Sequence, residues 1–177
     1  NIGQTPWFRK FLQEQRFSVG QPHVGPITGK WVSVLSAPIR NERGELVGAI
    51  HMPLDLKAYD PNIPVQHLPP ETRYGFFADD GIMIWRNLDP EGVIGTRPNA
   101  AAARRIVEMR DGEFEGLAID GVTRFFSVVP MPETGWIAFI GVPATTVYAE
   151  ARRHAVTLAA IALGAIVLIG ALALAIA

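Results

Sequence analysis

Cysteine is absent from this chain of 177 residues. Its absence excludes disulfide bonds, a thiolate nucleophile and metal sites that use cysteine ligands. An excess of charge of either sign is also missing, because 16 Lys and Arg residues face 17 Asp and Glu residues. Without a basic run the sequence offers no nucleic-acid surface, so we expect a small molecule as the ligand.

The motifs of common catalytic sites are missing as well. The sequence has no G-x-S-x-G elbow, no H-E-x-x-H helix and no phosphate-binding loop. His51 and Asp55 have the spacing of a helical metal-ligand pair, but Pro53 lies between them in a strand-like segment. We therefore predict no catalytic residue, no metal site and no cofactor in these residues.

A long hydrophobic run occurs at the end of the chain. Residues 155–177, "AVTLAAIALGAIVLIGALALAIA", carry no charge, and as a helix they would span about 35 Å. We predict a transmembrane helix there, with a buried core helix as the alternative. Arg152, Arg153 and His154 precede this run, and the positive-inside rule alone would place the globular part in the cytoplasm.

The second half of the chain predicts an antiparallel sheet with a helical crossover. Asp80-Gly81 between two apolar runs is a hairpin signal. The segment "PNAAAARRIVEMRDG" predicts a helix with Asn99 as its N-cap and Gly112 as its stop. The predicted strands are 73–78, 82–86, 113–119, 122–129 and 136–142.

The first half repeats only the later part of that order. Thr5 followed by Pro6 predicts the start of a helix in "TPWFRKFLQEQR". Strands are predicted at 30–39 and 45–54. The stretches "GKWVSVLSAP" and "GVTRFFSVVP" share a turn glycine, β-branched and aromatic residues and a final proline, so we interpret them as the same strand in two related modules.

Two such modules before a membrane helix resemble the double Cache sensor region of bacterial receptors, which include histidine kinases, diguanylate cyclases and chemoreceptors. The resemblance is carried by "GPITGKWVSVLSAPIRNERGELVGAIHMPLDL", "FFADDGIMIWRNLDPEGVIG" and "DGVTRFFSVVPMPETGWIAFIGVP". It implies an α+β fold of two tandem PAS-like modules with antiparallel sheets, the first truncated at its N-terminus, and a C-terminal transmembrane helix. It also implies a periplasmic sensor whose membrane-distal module binds a small molecule.

The resulting domain organisation has several segments. They are the C-terminal part of the membrane-distal module (1–56), a proline-rich connector (57–71), the membrane-proximal module (72–143), a juxtamembrane helix (144–154) and the transmembrane helix (155–177). The chain begins with Asn1 rather than Met, and we interpret it as a piece of a longer protein. The resemblance places the globular part outside the bacterial inner membrane, and we expect a homodimer.

The residues expected to line a ligand pocket combine aromatic walls with a few polar groups, which suits a small, partly apolar or planar ligand. They are Trp7, Phe8, His23, Trp31, Ser33, His51 and Asp55. Core packing is the alternative for the three larger aromatic residues and for His51, whereas His23 and Asp55 could be solvated. In the second module, Trp85 and Arg86 are candidates for a second pocket.

The amino-acid-binding branch of the resembled family has an Arg before an aromatic pair and an Asp in a later strand. Here Trp7-Phe8 matches the pair, but Thr5 occupies the Arg position. Pro53 stands about where the Asp belongs, with Asp55 two residues further on. Without these charged partners for a carboxylate and an ammonium, we expect a ligand other than a plain α-amino acid.

The resemblance predicts the extracytoplasmic sensing region of a membrane-bound signal-transduction receptor. Ligand binding would be relayed through the transmembrane helix to a cytoplasmic output domain, such as a kinase or a cyclase. No enzymatic activity is expected in the residues present. A membrane-anchored extracytoplasmic enzyme and a dimerisation module that binds no ligand are the alternatives.

Overall fold

The computed structural model describes residues 2–176, with side chains except at 90–91, 150–151 and 167–176. The described chain forms two antiparallel sheets with helices beside and after them. This architecture confirms the α+β class and the antiparallel sheets expected from the sequence.

The first sheet is built around one long strand. Its strands are β1 (Ser18–Val19), β2 (His23–Val24), β3 (Trp31–Arg40) and β4 (Leu46–Asp55). β3 pairs with each of the other three. β3 and β4 occur within one residue of their predicted bounds, whereas the two-residue strands β1 and β2 were not predicted. The helix α1 (Pro6–Glu14) begins after Thr5, as predicted, and packs on one face of this sheet.

The second sheet has five strands in the spatial order β6-β5-β9-β8-β7. They are β5 (Arg73–Phe77), β6 (Met83–Arg86), β7 (Gly112–Leu117), β8 (Thr123–Met131) and β9 (Trp136–Pro143). The short helix α2 (Pro90–Val93) and the helix α3 (Ala101–Met109) connect β6 to β7. The predicted order of two strands, a helical crossover and a three-stranded meander is confirmed.

Both ends of α3 differ from the prediction. Ala100, not Asn99, is the N-cap, and the Asn99 side chain instead accepts a hydrogen bond from Arg104 Nη1 at 2.7 Å. The helix ends at Met109, and its C-cap is Arg110, which adopts φ = 62° while its N–H donates to the carbonyl of Ile106. Gly112 therefore does not stop the helix, because a left-handed residue two positions earlier has already closed the last turn.

Two apolar clusters hold the sheets. One lies within the second sheet beneath α3 and includes Phe77, Ile106, Phe126 and Phe139. The other joins the two sheets, since Val19 and Leu56 from the first part of the chain pack with Ile84 and Trp136 from the second. The two sheets thus share a core. Because this core is closely packed, a displacement of one sheet changes the packing against the other.

The last helix, α4 (Ala144–Ile176), follows β9 without an intervening residue. Among the side chains that the structure describes, no helix is apolar over a length sufficient to cross a bilayer. The predicted membrane segment 155–177 extends beyond those side chains, because the side chains of 167–176 and the whole of residue 177 lie outside the described structure.

Candidate functional site

An aromatic cage surrounds His51 on the helix-facing side of the first sheet. The ring centroids of Trp7, Phe8 and Phe11 lie 5.0, 5.6 and 5.2 Å from that of His51. α1 supplies all three rings from consecutive turns, and β4 supplies the imidazole. The structure thus brings the predicted residues Trp7, Phe8 and His51 together and adds Phe11.

Ser36 provides the polar contact of this cage. The register of β3 and β4 places Ser36 directly opposite His51, so both side chains emerge on the same face. His51 Nδ1 and Ser36 Oγ lie 2.9 Å apart, within hydrogen-bond distance. Ser36 is buried and His51 half-buried. The imidazole is therefore fixed through one nitrogen.

His23 and Asp55 lie on the same face as His51, further along the sheet. Val32 is the cross-strand neighbour of both residues. Lys30 Nζ donates to Asp55 Oδ2 at 2.7 Å, and this hydrogen bond is the main reason that the pKa of Asp55 is lowered. His23 Nδ1 lies 3.0 Å from the carbonyl oxygen of Gln21. Both predicted polar groups thus already have partners from this chain.

Trp31 and Ser33 point to the opposite face of β3. Trp31 packs against the cluster that joins the two sheets and contacts Gly95. Ser33 is fully buried, and its hydroxyl has no hydrogen-bond partner among the described residues. The residues predicted for one pocket are therefore divided between the two faces of the first sheet.

A separate cavity of about 60 Å³ lies in the second sheet beneath α3. Its walls are mainly apolar and include Phe77, Met83, Ile106, Phe126 and Phe139. The charged residues on its lining are Arg73, Arg86 and Asp120. A concave, mainly apolar surface with a few charged groups at its edge is a common arrangement in small-molecule sites, although this cavity is smaller than most of them.

Asp120 and Arg124 form the ion pair that anchors the charged side of this cavity. Arg124 Nη1 and Nη2 donate to the two carboxylate oxygens of Asp120 at 2.6 and 2.8 Å. The Arg124 side chain is fully buried, and its Nε donates to the carbonyl of Glu71 at 3.2 Å. The hydrogen bonds from Arg124 to the carboxylate are the main reason that the pKa of Asp120 is lowered. Arg124 therefore occupies both oxygens of the carboxylate.

Arg73 makes weaker contacts at the same edge. Its Nη2 lies 3.5 Å from Asp120 Oδ2, and its Nη1 lies 3.5 Å from the carbonyl oxygen of Thr72. Its Nε is buried and has no hydrogen-bond partner within the part of the chain that the structure describes. A guanidinium held this loosely retains donors for a further acceptor.

Arg86 and Trp85 lie on opposite faces of β6. Arg86 is the cross-strand neighbour of Gly75 and lines the cavity, whereas Trp85 neighbours Phe76 and packs between the sheets. Arg86 Nε donates to the carbonyl of Leu88 at 2.6 Å. Burial, with a smaller contribution from the like charge of Arg73, lowers the pKa of Arg86. The second pocket predicted from the sequence thus corresponds in space to a cavity that includes Arg86 and not Trp85.

Sequence reasoning missed Arg73, Asp120 and Arg124. Asp120-Gly121 has the sequence of a common turn, so the sequence did not indicate an ion pair for the Asp120 carboxylate. One signal was present, because Arg124 alternates with the inward-facing Phe126 and Val128 in β8. A charged residue at an inward position of a strand indicates a buried ion pair.

Comparison with solved structures shows which proteins share this fold. The periplasmic sensory domain of the Campylobacter jejuni chemoreceptor Tlp1 matches with a TM-score of 0.58 and 18% identity, over 83% of this chain and 57% of that one. The ligand-binding domain of the Pseudomonas aeruginosa amino acid chemoreceptor PctB, in complex with L-Gln, matches with a TM-score of 0.57 and 17% identity, over 92% and 66%. This chain has the fold of an extracytoplasmic sensory domain.

A kinase-type receptor domain is also similar. The extracellular domain of the candidate histidine kinase mmHK1S-Z3 matches with a TM-score of 0.66 and 16% identity, over 86% of this chain and 58% of that one. The chain thus spans between 57% and 66% of the lengths of these three structures. No family model matches the chain, and no match to a curated protein was found.

The comparisons also bear on ligand class. Of the structures named above, one is a periplasmic sensory domain, one is a ligand-binding domain and one is the extracellular domain of a kinase-type receptor. One of them is bound to an amino acid, so the fold gives no support to the expectation that the ligand is not an amino acid. Among the described side chains, no group of three His, Asp or Glu residues is close enough to hold a metal ion.

Proposed function

We propose that this chain is the ligand-sensing region of a bacterial membrane receptor, and that it passes ligand binding to a cytoplasmic output domain. The observation that carries the proposal is the continuity of β9 and α4. Phe139 of β9 lines the cavity, and the same strand ends at Pro143, where α4 begins at Ala144. A ligand that displaces β9 therefore displaces the long helix as well.

The exposed apolar surface of α4 supports a membrane anchor. Leu158, Ile161, Leu163 and Ile166 are each 64–68% exposed, and side chains of this kind are rarely left in water over successive turns. We propose that 155–177 cross the inner membrane, with the sheets on its outer side, and that α4 pairs with a second copy.

The contact between α4 and the second sheet supports the relay. Tyr148, in the second turn of α4, packs edge-on against Phe125 of β8 with ring centroids 5.6 Å apart. Its hydroxyl donates to Glu115 Oε2 at 3.2 Å. The start of α4 is thus tied to two further strands of the sheet that holds the cavity.

We propose that the two sheets belong to two related modules, 1–56 and 72–143, joined by the connector 57–71. The aromatic cage of Trp7, Phe8 and His51 is the proposed ligand wall of the first module. We also propose His23, Asp55, Trp31 and Ser33 as ligand contacts. The buried hydroxyl of Ser33 has no hydrogen-bond partner among the described residues.

The relay is tested by disulfide crosslinking of the full-length receptor in membrane vesicles. Residues 1–177 contain no cysteine. Once any cysteine elsewhere in the receptor is replaced by serine, a single cysteine at Ala149 or Ala155 reports only on α4. The vesicles receive separately each common amino acid and a set of short carboxylates. A change in crosslinking rate with at least one compound supports the function, whereas identical rates with all of them contradict it.

A further inference from the structure

We propose that the cavity of the second sheet binds a short-chain monocarboxylate, with the carboxylate against Arg73 and Arg86 and the apolar tail under α3. This assignment names a ligand class for the proposed sensing function, and the carboxylate acts as a signal only if that function is correct. The binding itself can be measured independently of signalling.

An excess of positive charge at the cavity edge is the first reason. Three guanidinium groups, those of Arg73, Arg86 and Arg124, surround the single carboxylate of Asp120. Arg124 takes both oxygens of that carboxylate, and the contact of Arg73 with it is longer, at 3.5 Å. One bidentate pair is therefore complete. Asp89 also acts on Arg86, so three guanidiniums face two carboxylates and one positive charge remains in excess at the cavity edge.

The free donors of these two side chains are the second reason. Arg73 Nε is buried and without a partner among the described residues, which is costly unless an acceptor reaches it. The only hydrogen bond recorded for the Arg86 side chain in the described structure is from Nε to Leu88, so its two terminal nitrogens can donate elsewhere. Asp89 acts on Arg86 through its charge but makes no hydrogen bond to it among the described residues, and Oδ1 of Asp89 accepts the N–H of Gly92 at 3.2 Å.

A carboxylate explains this arrangement better than a cation or a neutral ligand does. The excess positive charge would repel a cation, and a neutral ligand would leave that charge partly desolvated without compensation. A planar carboxylate has two oxygens and can accept hydrogen bonds from both side chains, the geometry for which arginine is best suited.

The remaining walls set the size and polarity of the ligand. Phe77, Ile106, Phe126 and Phe139 offer no polar side-chain atom, so the part of the ligand beyond the carboxylate must be apolar. At about 60 Å³ the cavity accommodates roughly four to six atoms of water size. Acetate, propionate and butyrate have a number of non-hydrogen atoms within this range, whereas aromatic acids are too large for the cavity.

Thermal unfolding and isothermal titration of the full chain in detergent micelles test the inference. Sodium acetate, propionate and butyrate are compared with sodium chloride at equal ionic strength and with propionamide, which has the shape of propionate without its charge. We expect saturable binding and a raised Tm with at least one of acetate, propionate and butyrate, and neither effect with sodium chloride or propionamide. Equal stabilisation by propionamide or by chloride, or no saturable effect of any carboxylate, would overturn the proposal.

Arginine variants locate the site. We expect Arg73→Gln and Arg86→Gln each to weaken propionate binding about tenfold or more, since each removes a charge-assisted hydrogen bond. Arg73→Lys keeps the charge but lacks Nε, and we expect it to bind more weakly than the wild type while it folds normally by circular dichroism. Wild-type affinity in all three variants would contradict the assignment.

Arg97→Gln is the matched control. It also removes an arginine from an ion pair in the same module, because Arg97 Nη2 lies 2.8 Å from Asp80 Oδ2, but Arg97 does not line the cavity. We expect its propionate affinity to equal that of the wild type. A loss as large as that in the cavity variants would show a general electrostatic effect and refute the site.

The two proposals fail separately. If propionate binds but crosslinking at Ala149 and Ala155 does not respond to any compound, the carboxylate site stands and the relay does not. If amino acids alter crosslinking while propionate does not bind, the sensing function stands and the carboxylate assignment is wrong.

Discussion

Trp31 of the first sheet packs directly against Gly95 of the second part of the chain, where no side chain could be accommodated. A Cβ atom at Gly95 would overlap the indole ring, and the backbone there has φ = 79°. Both facts require glycine at this position. This contact packs Trp31 against the core that joins the two sheets.

We expect Gly95→Ala to destabilise the protein more than Gly121→Ala. Both positions have positive φ, 79° and 77°, but a Cβ at Gly121 would meet nothing within 4 Å. Both substitutions carry a backbone cost of about 1–2 kcal/mol, and the clash with Trp31 adds about 1–3 kcal/mol. Urea unfolding followed by tryptophan fluorescence measures the difference. Equal costs would show that Trp31 simply moves aside.

Two serines on β3 form a second matched pair. Ser36 and Ser33 are both buried, but only Ser36 has a described hydrogen-bond partner, His51. We expect Ser36→Ala to lower the free energy of unfolding by about 1 kcal/mol and Ser33→Ala to leave it unchanged or raise it. Chemical denaturation gives both values. A large loss in Ser33→Ala would reveal a partner of Ser33 that the described residues do not include.

We expect Asp120→Asn to destabilise the protein by about 2–3 kcal/mol at neutral pH, because it leaves the buried Arg124 without its carboxylate. The pKa of Asp120 is below its ordinary value of 3.8 in the folded state. The ion pair thus contributes fully above that value, and its contribution is lost as the pH falls through the lower folded pKa.

Unfolding at several pH values tests this dependence. The gap between the wild type and Asp120→Asn is expected to stay constant from neutral pH to about pH 5 and to close only in stronger acid. A gap that closes already near pH 6 would mean that another group controls it.

Tyr148 links the start of α4 to the second sheet. We expect Tyr148→Ala to change the crosslinking rate at Ala155, since it removes both the ring contact with Phe125 and the hydrogen bond to Glu115. Tyr148→Phe keeps the ring contact, and we expect it to behave like the wild type because the lost hydrogen bond is exposed. Wild-type crosslinking in both variants would exclude this contact from the relay.

The sequence predicted long elements better than it predicted the partners of single side chains. β3, β4 and the five later strands were found because turn residues bound their apolar patterns, and Thr5-Pro6 correctly marked the start of α1. β1 and β2 escaped because two residues show no periodicity. The end of α3 was misplaced because the left-handed residue that ends it is Arg110 and not a glycine.

The candidate site was predicted only in part. Trp7, Phe8 and His51 meet because helix spacing and strand alternation place them on facing surfaces. Trp31 and Ser33 were assigned to the same pocket, although their face of β3 is decided by the second sheet. Such contacts depend on how the two sheets pack, which local patterns do not contain.

The two faces of β6 contribute to different parts of the molecule. Arg86 lines the cavity, and Trp85 packs in the core between the sheets. If each sheet binds a ligand, the strand makes the two equilibria interdependent. Thermodynamic reciprocity then requires that a ligand of the first sheet alter the affinity of the cavity by the same factor as the cavity's ligand alters that of the first sheet. A receptor of this design would measure a combination of two concentrations, and titration of either compound at fixed amounts of the other would show it.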